Sequence, residues 1–205
     1  NDFKDWFRRH EPYVKISGSY KLYEEFRGVI TGCDTDKPCL TKEDYLNLGA
    51  RQSVFLEHER EEVFRLFEKY LTFLKEAEFY DLNILSFEYL NLVQPCYDFV
   101  VVDEVQDFTN IQLYLALSSL KMHHRFILCG DAHQVVHPNF FSWAGVKSMF
   151  FKKEEFNYRM GLLRSNYRNS TGVTNLANSL LKVKNLRFGS IDRESNYLIE
   201  PMQSA

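Results

Sequence analysis

Apolar positions over residues 1–95 recur mostly at helical spacing. Val63, Phe67, Tyr70, Leu71, Leu74 and Ala77 fall three and four apart, and the opposite face is rich in Glu, Lys and Arg. That pattern predicts an amphipathic helix over about 53–78. Leu22, Tyr23, Phe26 and Ile30 line one side of a shorter helix over 20–30, and residues 32–38, with Asp34, Asp36 and Pro38, read as a loop. Thr41 is suited to cap a helix that carries Glu43 and Asp44 in its first turn and stops at Gly49. A further helical segment over 84–92 ends near Pro95. The rest of residues 1–40 carries mixed signals.

The character then changes. Phe99-Val100-Val101-Val102 and Phe126-Ile127-Leu128-Cys129 are short apolar runs without alternation. Such runs suit strands of a parallel sheet buried on both faces. Residues 111–120 between them read as a helix, so the order is strand, helix, strand. Each strand runs into acidic residues: Asp103-Glu104 after the first, Gly130-Asp131 after the second. In open α/β sheets the ligand crevice lies outside the carboxyl ends of the strands. The fold expected is α/β with parallel strands over 96–205, preceded by a mostly helical part over 1–95.

Composition narrows this reading. At 205 residues with 45% hydrophobic content the chain has the means to bury a core, and disorder is not the expectation. No apolar run approaches the roughly 20 residues of a membrane helix, and no signal-peptide pattern opens the chain. The first residue is Asn1, which suggests a piece cut from a longer chain. Cys33, Cys39, Cys96 and Cys129 form no C-x-x-C pair, and a reducing, intracellular setting (cytoplasmic or nuclear) is expected. The net charge of −3 hides an asymmetry. Residues 1–95 hold 13 Lys and Arg against 18 Asp and Glu, whereas residues 147–193 hold 10 against 3. A basic stretch in a mildly acidic chain is what a phosphate-contacting surface looks like, although charge alone favours a solvated face.

Three motifs carry chemistry. In Asp103-Glu104-Val105-Gln106-Asp107, a carboxylate at the end of a buried strand can hold Mg²⁺ opposite nucleotide phosphates, and the carboxylate beside it can take a proton from water. That assigns Asp103 to the metal and Glu104 to the water. Thr109 can cap the next helix whether or not any catalysis occurs. In Gly130-Asp131-Ala132-His133-Gln134, Gly130 permits a tight turn and Gln134 can bridge a phosphate oxygen and water. In Asn166-Tyr167-Arg168, the aromatic ring can stack on a base and the Arg can neutralise charge on a transferring phosphoryl group.

In this order the three motifs resemble those of UvrD/Rep/PcrA-like superfamily 1 helicases, in which a DExQD Walker B string is followed by GDxxQ and NYR. Residues 40–45 and 63–70 also look like the helical insert that precedes Walker B, in a branch found in large multidomain UvrD-like proteins. The resemblance covers roughly residues 20–185. It implies a partial RecA-like P-loop NTPase motor domain, using ATP and Mg²⁺, that works on nucleic acid, with single-stranded DNA the expected partner. It further implies metal binding by Asp103, general-base work by Glu104, phosphate sensing by Gln134, adenine stacking by Tyr167 and an arginine finger at Arg168. The remaining helicase domains would be partners in the native chain.

The departures bear on function. The chain contains no G-x-x-x-x-G-K-[ST] string, the Walker A phosphate loop. Trp143 stands where the family stacks a DNA base, and Ala144 replaces the Arg that follows. Phe140, Phe141 and Trp143 form a candidate base-stacking platform, with core packing the alternative for the two Phe residues. Two readings remain open: part of an ATP-dependent DNA helicase or translocase, or a degenerate, non-catalytic UvrD-like scaffold that binds a protein or nucleic acid.

Overall fold

The computed structural model describes residues 2–50, 52–131, 133–134, 143, 145–147, 159, 161–189 and 197–202, without the Phe188 side chain. It divides into two compact units, residues 1–141 and 142–205.

The first unit begins with five helices: α1 (Asp2–His10), α2 (Ser19–Glu25), α3 (Lys42–Leu46), α4 (Glu57–Glu76) and α5 (Leu82–Tyr89). α2 runs directly into a π turn over Phe26–Ile30. The capping expected from sequence is present, since Thr41 Oγ1 accepts a hydrogen bond from Asp44 N at 3.1 Å. At α5 the Asp81 carboxylate does the same for Asn83 N and Ile84 N. α1 was not predicted. It buries only Trp6 and Phe7 and leaves its charged residues outside. Phe26, fully buried, sits amid Phe3, Phe67 and Tyr70, with ring centroids 5.2–5.9 Å away. Each such burial stabilises by roughly 1.5–3 kcal/mol, and aromatic pairing adds to it.

Polar groups inside this core are held. The Glu25 carboxylate accepts from Tyr45 Oη at 2.7 Å, from Val54 N at 3.1 Å and from Ser53 Oγ. Burial pushes its carboxyl above the usual range, against the pull of those donors and of the Arg60 charge. Buried Arg60 donates to the carbonyls of Leu46, Leu48, Gly49 and Phe55, so it closes the loop between α3 and α4. All four cysteines are free, and burial, then the Asp34 charge, push the Cys33 thiol up to about 12.

α4 ends in a Schellman turn. Glu78 takes a left-handed conformation (φ 54°), and Phe79 N donates to Leu74 O at 2.9 Å. A Cβ is unfavourable there and glycine is the residue of choice. Glu78→Gly is therefore expected to stabilise the protein by about 0.5–1 kcal/mol, the scale of cap optimisation. A urea melt should show a higher midpoint, and a lower one would contradict this reading of the turn.

The strand–helix–strand order appears as expected: β1 (Val100–Val102), α6 (Asn110–Ser118) and β2 (Phe126–Leu128), with a short 3-10 turn over Val105–Asp107. The strands pair in parallel, Val100 opposite Phe126, Val101 opposite Ile127 and Val102 opposite Leu128. Burial on both faces does not hold. Val102 is buried, but Val101 and Ile127, neighbours in register, are 62% and 50% exposed. Successive strand side chains point to opposite faces, and an unbroken apolar run does not reveal which face is covered.

Hydrogen bonds tie the helical part to this segment. Asn83 Nδ2 donates to Arg27 O at 2.7 Å and to Thr31 Oγ1 at 3.0 Å, while its Oδ1 accepts from Thr109 Oγ1 at 2.7 Å. Ile111 N reaches Gly32 O at 3.2 Å, and Arg27 Nη2 reaches Asp107 O at 3.3 Å. Gly32 permits this approach, since a Cβ there would lie 2.2 Å from Arg27 O and 2.8 Å from Thr109 Cγ2.

In the second unit β3 (Ser165–Asn166) pairs in parallel with β4 (Glu200–Pro201). Between them lies α7 (Thr171–Phe188), on which Val173, Leu176, Leu180, Val183 and Leu186 are exposed. Beyond the Asn166-Tyr167-Arg168 motif, the sequence marks this region only by its basic balance and does not announce the helix.

Candidate functional site

The parallel pairing of β1 and β2 puts both acidic turns at one sheet edge. Cys129 N donates to Val102 O at 2.8 Å, and Val105 N donates to Cys129 O at 2.9 Å, so the chain segments stay paired beyond the strands. Asp103 and Glu104 follow β1 and are exposed. Asp103 Oδ1 accepts from Glu104 N at 2.9 Å. Glu104 itself is left-handed (φ 51°, ψ 43°). A non-glycine residue in that region costs about 1–3 kcal/mol and is kept only where its surroundings over-determine it. Here Asp107 N donates to Glu104 O at 2.9 Å, and the Glu104 carboxylate folds back onto Gln106 of the same turn.

The side chain that bonds to both turns is that of Gln106, a residue to which the motif reading assigns no role. It is 2% exposed. Its Nε2 donates to Glu104 Oε2 at 2.6 Å, and its Oε1 accepts from Asp131 N at 3.0 Å. Asp131 continues the chain of bonds. Its Oδ1 accepts from His133 N at 2.8 Å and its Oδ2 from Gln134 Nε2 at 2.9 Å. Gly130 is needed for packing, because a Cβ there would meet Gln106 Oε1 at 2.6 Å and Val105 Cγ1 at 2.7 Å. The one sequence signal for Gln106 was an amide two residues past Glu104, in a turn where an aliphatic side chain would otherwise fill the buried position.

Asp103, Glu104 and Gln134 are thus gathered in the first unit. Neither Asp103 nor Glu104 is paired with a Lys or Arg among the described residues. No group of three or more His, Cys, Asp or Glu suited to a metal occurs among the described residues. One or two exposed carboxylates fit a magnesium ion, which usually keeps several waters and takes its remaining ligands from substrate phosphates. The donor set therefore fits Mg²⁺ carried with a nucleotide.

The other predicted residues lie in the second unit or outside the described residues. Asn166 Oδ1 accepts from Arg168 N and Asn169 N, both at 2.9 Å, which fixes the turn between β3 and α7. Tyr167, 66% exposed, and Arg168, also exposed, project from that turn. Trp143 is helical and half-buried. Phe140 and Phe141 lie outside the described residues. No helix among the described residues is long and apolar enough to cross a membrane.

Comparison with known proteins gives a consistent picture. The model of the UvrD/REP helicase N-terminal domain matches residues 24–158, which include both acidic turns. A probable DNA helicase II homolog of Mycoplasma capricolum subsp. capricolum is 28% identical over 135 residues, 61% of this chain. A human TPR and ankyrin repeat-containing protein 1 is 22% identical over 194 residues, 84% of this chain. The chain spans 18% and 7% of the lengths of these two relatives.

Proposed function

This chain belongs to the UvrD/REP helicase N-terminal domain family, and from that premise we propose that it supplies the metal- and water-handling part of an ATP-driven DNA helicase or translocase. The observation that carries the proposal is the gathering of Asp103, Glu104 and Gln134 at one edge of the β1–β2 pair, joined through Gln106 and Asp131.

Asp103 would hold the magnesium ion, which when bound neutralises charge on the nucleotide phosphates. Glu104 handles the attacking water. Its Oε2 is occupied by Gln106 Nε2, so Oε1 takes the proton as the water oxygen bonds to the γ-phosphorus and ADP leaves with the electrons of the broken bond. Gln134 senses the γ-phosphate, and its bond to Asp131 holds it in the turn until nucleotide competes for it. Tyr167 would stack on adenine and Arg168 would stabilise charge on the transferring group. Trp143, with Phe140 and Phe141, would stack bases of single-stranded DNA. Residues 1–95 are then the helical insert and residues 96–205 part of the first RecA-like motor domain, in an intracellular protein. The phosphate loop would come from other sequence in the native chain, since this one has no such string. ATP hydrolysis by the native full-length protein is the expected result. Its absence would favour a non-catalytic scaffold.

A further inference from the structure

We infer that Gln106 is a positioning residue, whose buried side-chain amide sets the Glu104 carboxylate from the Gly130–Gln134 turn, so that the water-handling and phosphate-sensing groups keep one register. The inference rests on the helicase reading above for the role of Glu104, and on geometry for the bridge itself. One planar amide donates to Glu104 Oε2 at 2.6 Å and accepts from Asp131 N at 3.0 Å. Asp131 in turn holds Gln134 Nε2 at 2.9 Å. The bridge needs a donor and an acceptor on the same group. Glutamate at this position lacks the donor, leucine lacks both, and asparagine is one methylene short. Burial makes the requirement strict, because a polar group 2% exposed has no water to replace a lost partner. The glycine at 130 belongs to the same device, since any Cβ there would displace the amide oxygen. The carboxylate that bonds to Gln106 stands on a strained backbone, so its direction depends on such a hold.

The two halves of the bridge separate by substitution in the native full-length protein. Gln106→Glu keeps an acceptor for Asp131 N but sets an anion against Glu104. Gln106→Leu removes both bonds. The expected result for Gln106→Glu is a kcat lower by roughly 10- to 100-fold, the scale on which orienting partners act at other sites. Affinity for a non-hydrolysable ATP analogue, and hydrogen exchange at the Asp131 amide, should stay within about two-fold of the wild type, since the acceptor remains. Gln106→Leu should lower kcat alike and also speed exchange at Asp131. Normal kcat in Gln106→Glu would overturn the inference, as would unchanged Asp131 exchange in Gln106→Leu. A loss of analogue affinity equal to the loss of kcat would show a fold role only and overturn it too. If the wild type itself does not hydrolyse ATP, the helicase reading fails, and the bridge is then decided by the exchange measurement alone.

Discussion

Glu104→Gln in the native full-length protein is expected to leave nucleotide binding in place and to abolish turnover. The carboxylate is bonded through Oε2 to Gln106 Nε2 at 2.6 Å. A glutamine at 104 can still present its amide oxygen to that donor. Its remaining group is then an NH₂ facing the water, and it cannot take a proton. The loss should fall on the chemical step, and loss of a general base typically costs on the order of 100- to 10,000-fold. Asp103→Asn should behave differently. It weakens the ligand expected to hold magnesium, so Mg²⁺-dependent ATP binding should fall with turnover. Equilibrium titration with a fluorescent ATP analogue, beside steady-state hydrolysis, separates the two variants. Near-normal hydrolysis by Glu104→Gln would remove Glu104 from the role of base.

The largest effect on stability is expected for Phe26→Ala. Phe26 is fully buried, and the rings of Phe67 and Tyr70 lie 5.2 Å and 5.3 Å from it. Truncating a core phenylalanine typically costs about 3–5 kcal/mol, from lost burial plus the cavity left behind. Phe26 also opens the π turn, where its carbonyl accepts from Thr31 N at 2.9 Å and Thr31 Oγ1 at 3.0 Å. Arg27 lies in that turn and Thr31 and Gly32 follow it, and these three meet Asn83, Asp107, Thr109 and Ile111. Leu186→Ala, on the exposed side of α7, is the control and should stay within about 0.5 kcal/mol of the wild type. Urea unfolding of both variants decides it. A loss below about 1 kcal/mol at Phe26, the average for any substitution, would mean that the helical core is not packed as described.

Much of this arrangement was legible before any coordinates. The Phe99–Val102 and Phe126–Cys129 runs read as parallel strands because short apolar runs without alternation suit such strands, and Val100–Val102 pairs in parallel with Phe126–Leu128. Thr41 read as a cap because its hydroxyl precedes an acidic first turn, and it accepts from Asp44 N. Position along the strands placed both acidic turns at one edge. What escaped depends on partners far away in sequence. α1 has three apolar residues among charges, and only packing of Trp6 and Phe7 in the core explains it. The exposed side of β1 and β2 was missed because hydrophobicity does not reveal which face is covered. Gln106 was missed because its role needs Glu104 in a left-handed conformation and Asp131 brought alongside, and neither is written locally.

On the helicase reading, the turn carrying Asp103 and Glu104 belongs to a motor fuelled by ATP. The most direct measurement is steady-state ATP hydrolysis by the native full-length protein, with and without Mg²⁺ and with and without single-stranded DNA, with Glu104→Gln as the blank. The result expected is hydrolysis that requires Mg²⁺, rises when single strands are added, and falls to the level of the Glu104→Gln protein when either is withheld. Hydrolysis no greater than that blank, with Mg²⁺ and nucleic acid both present, would contradict the claim.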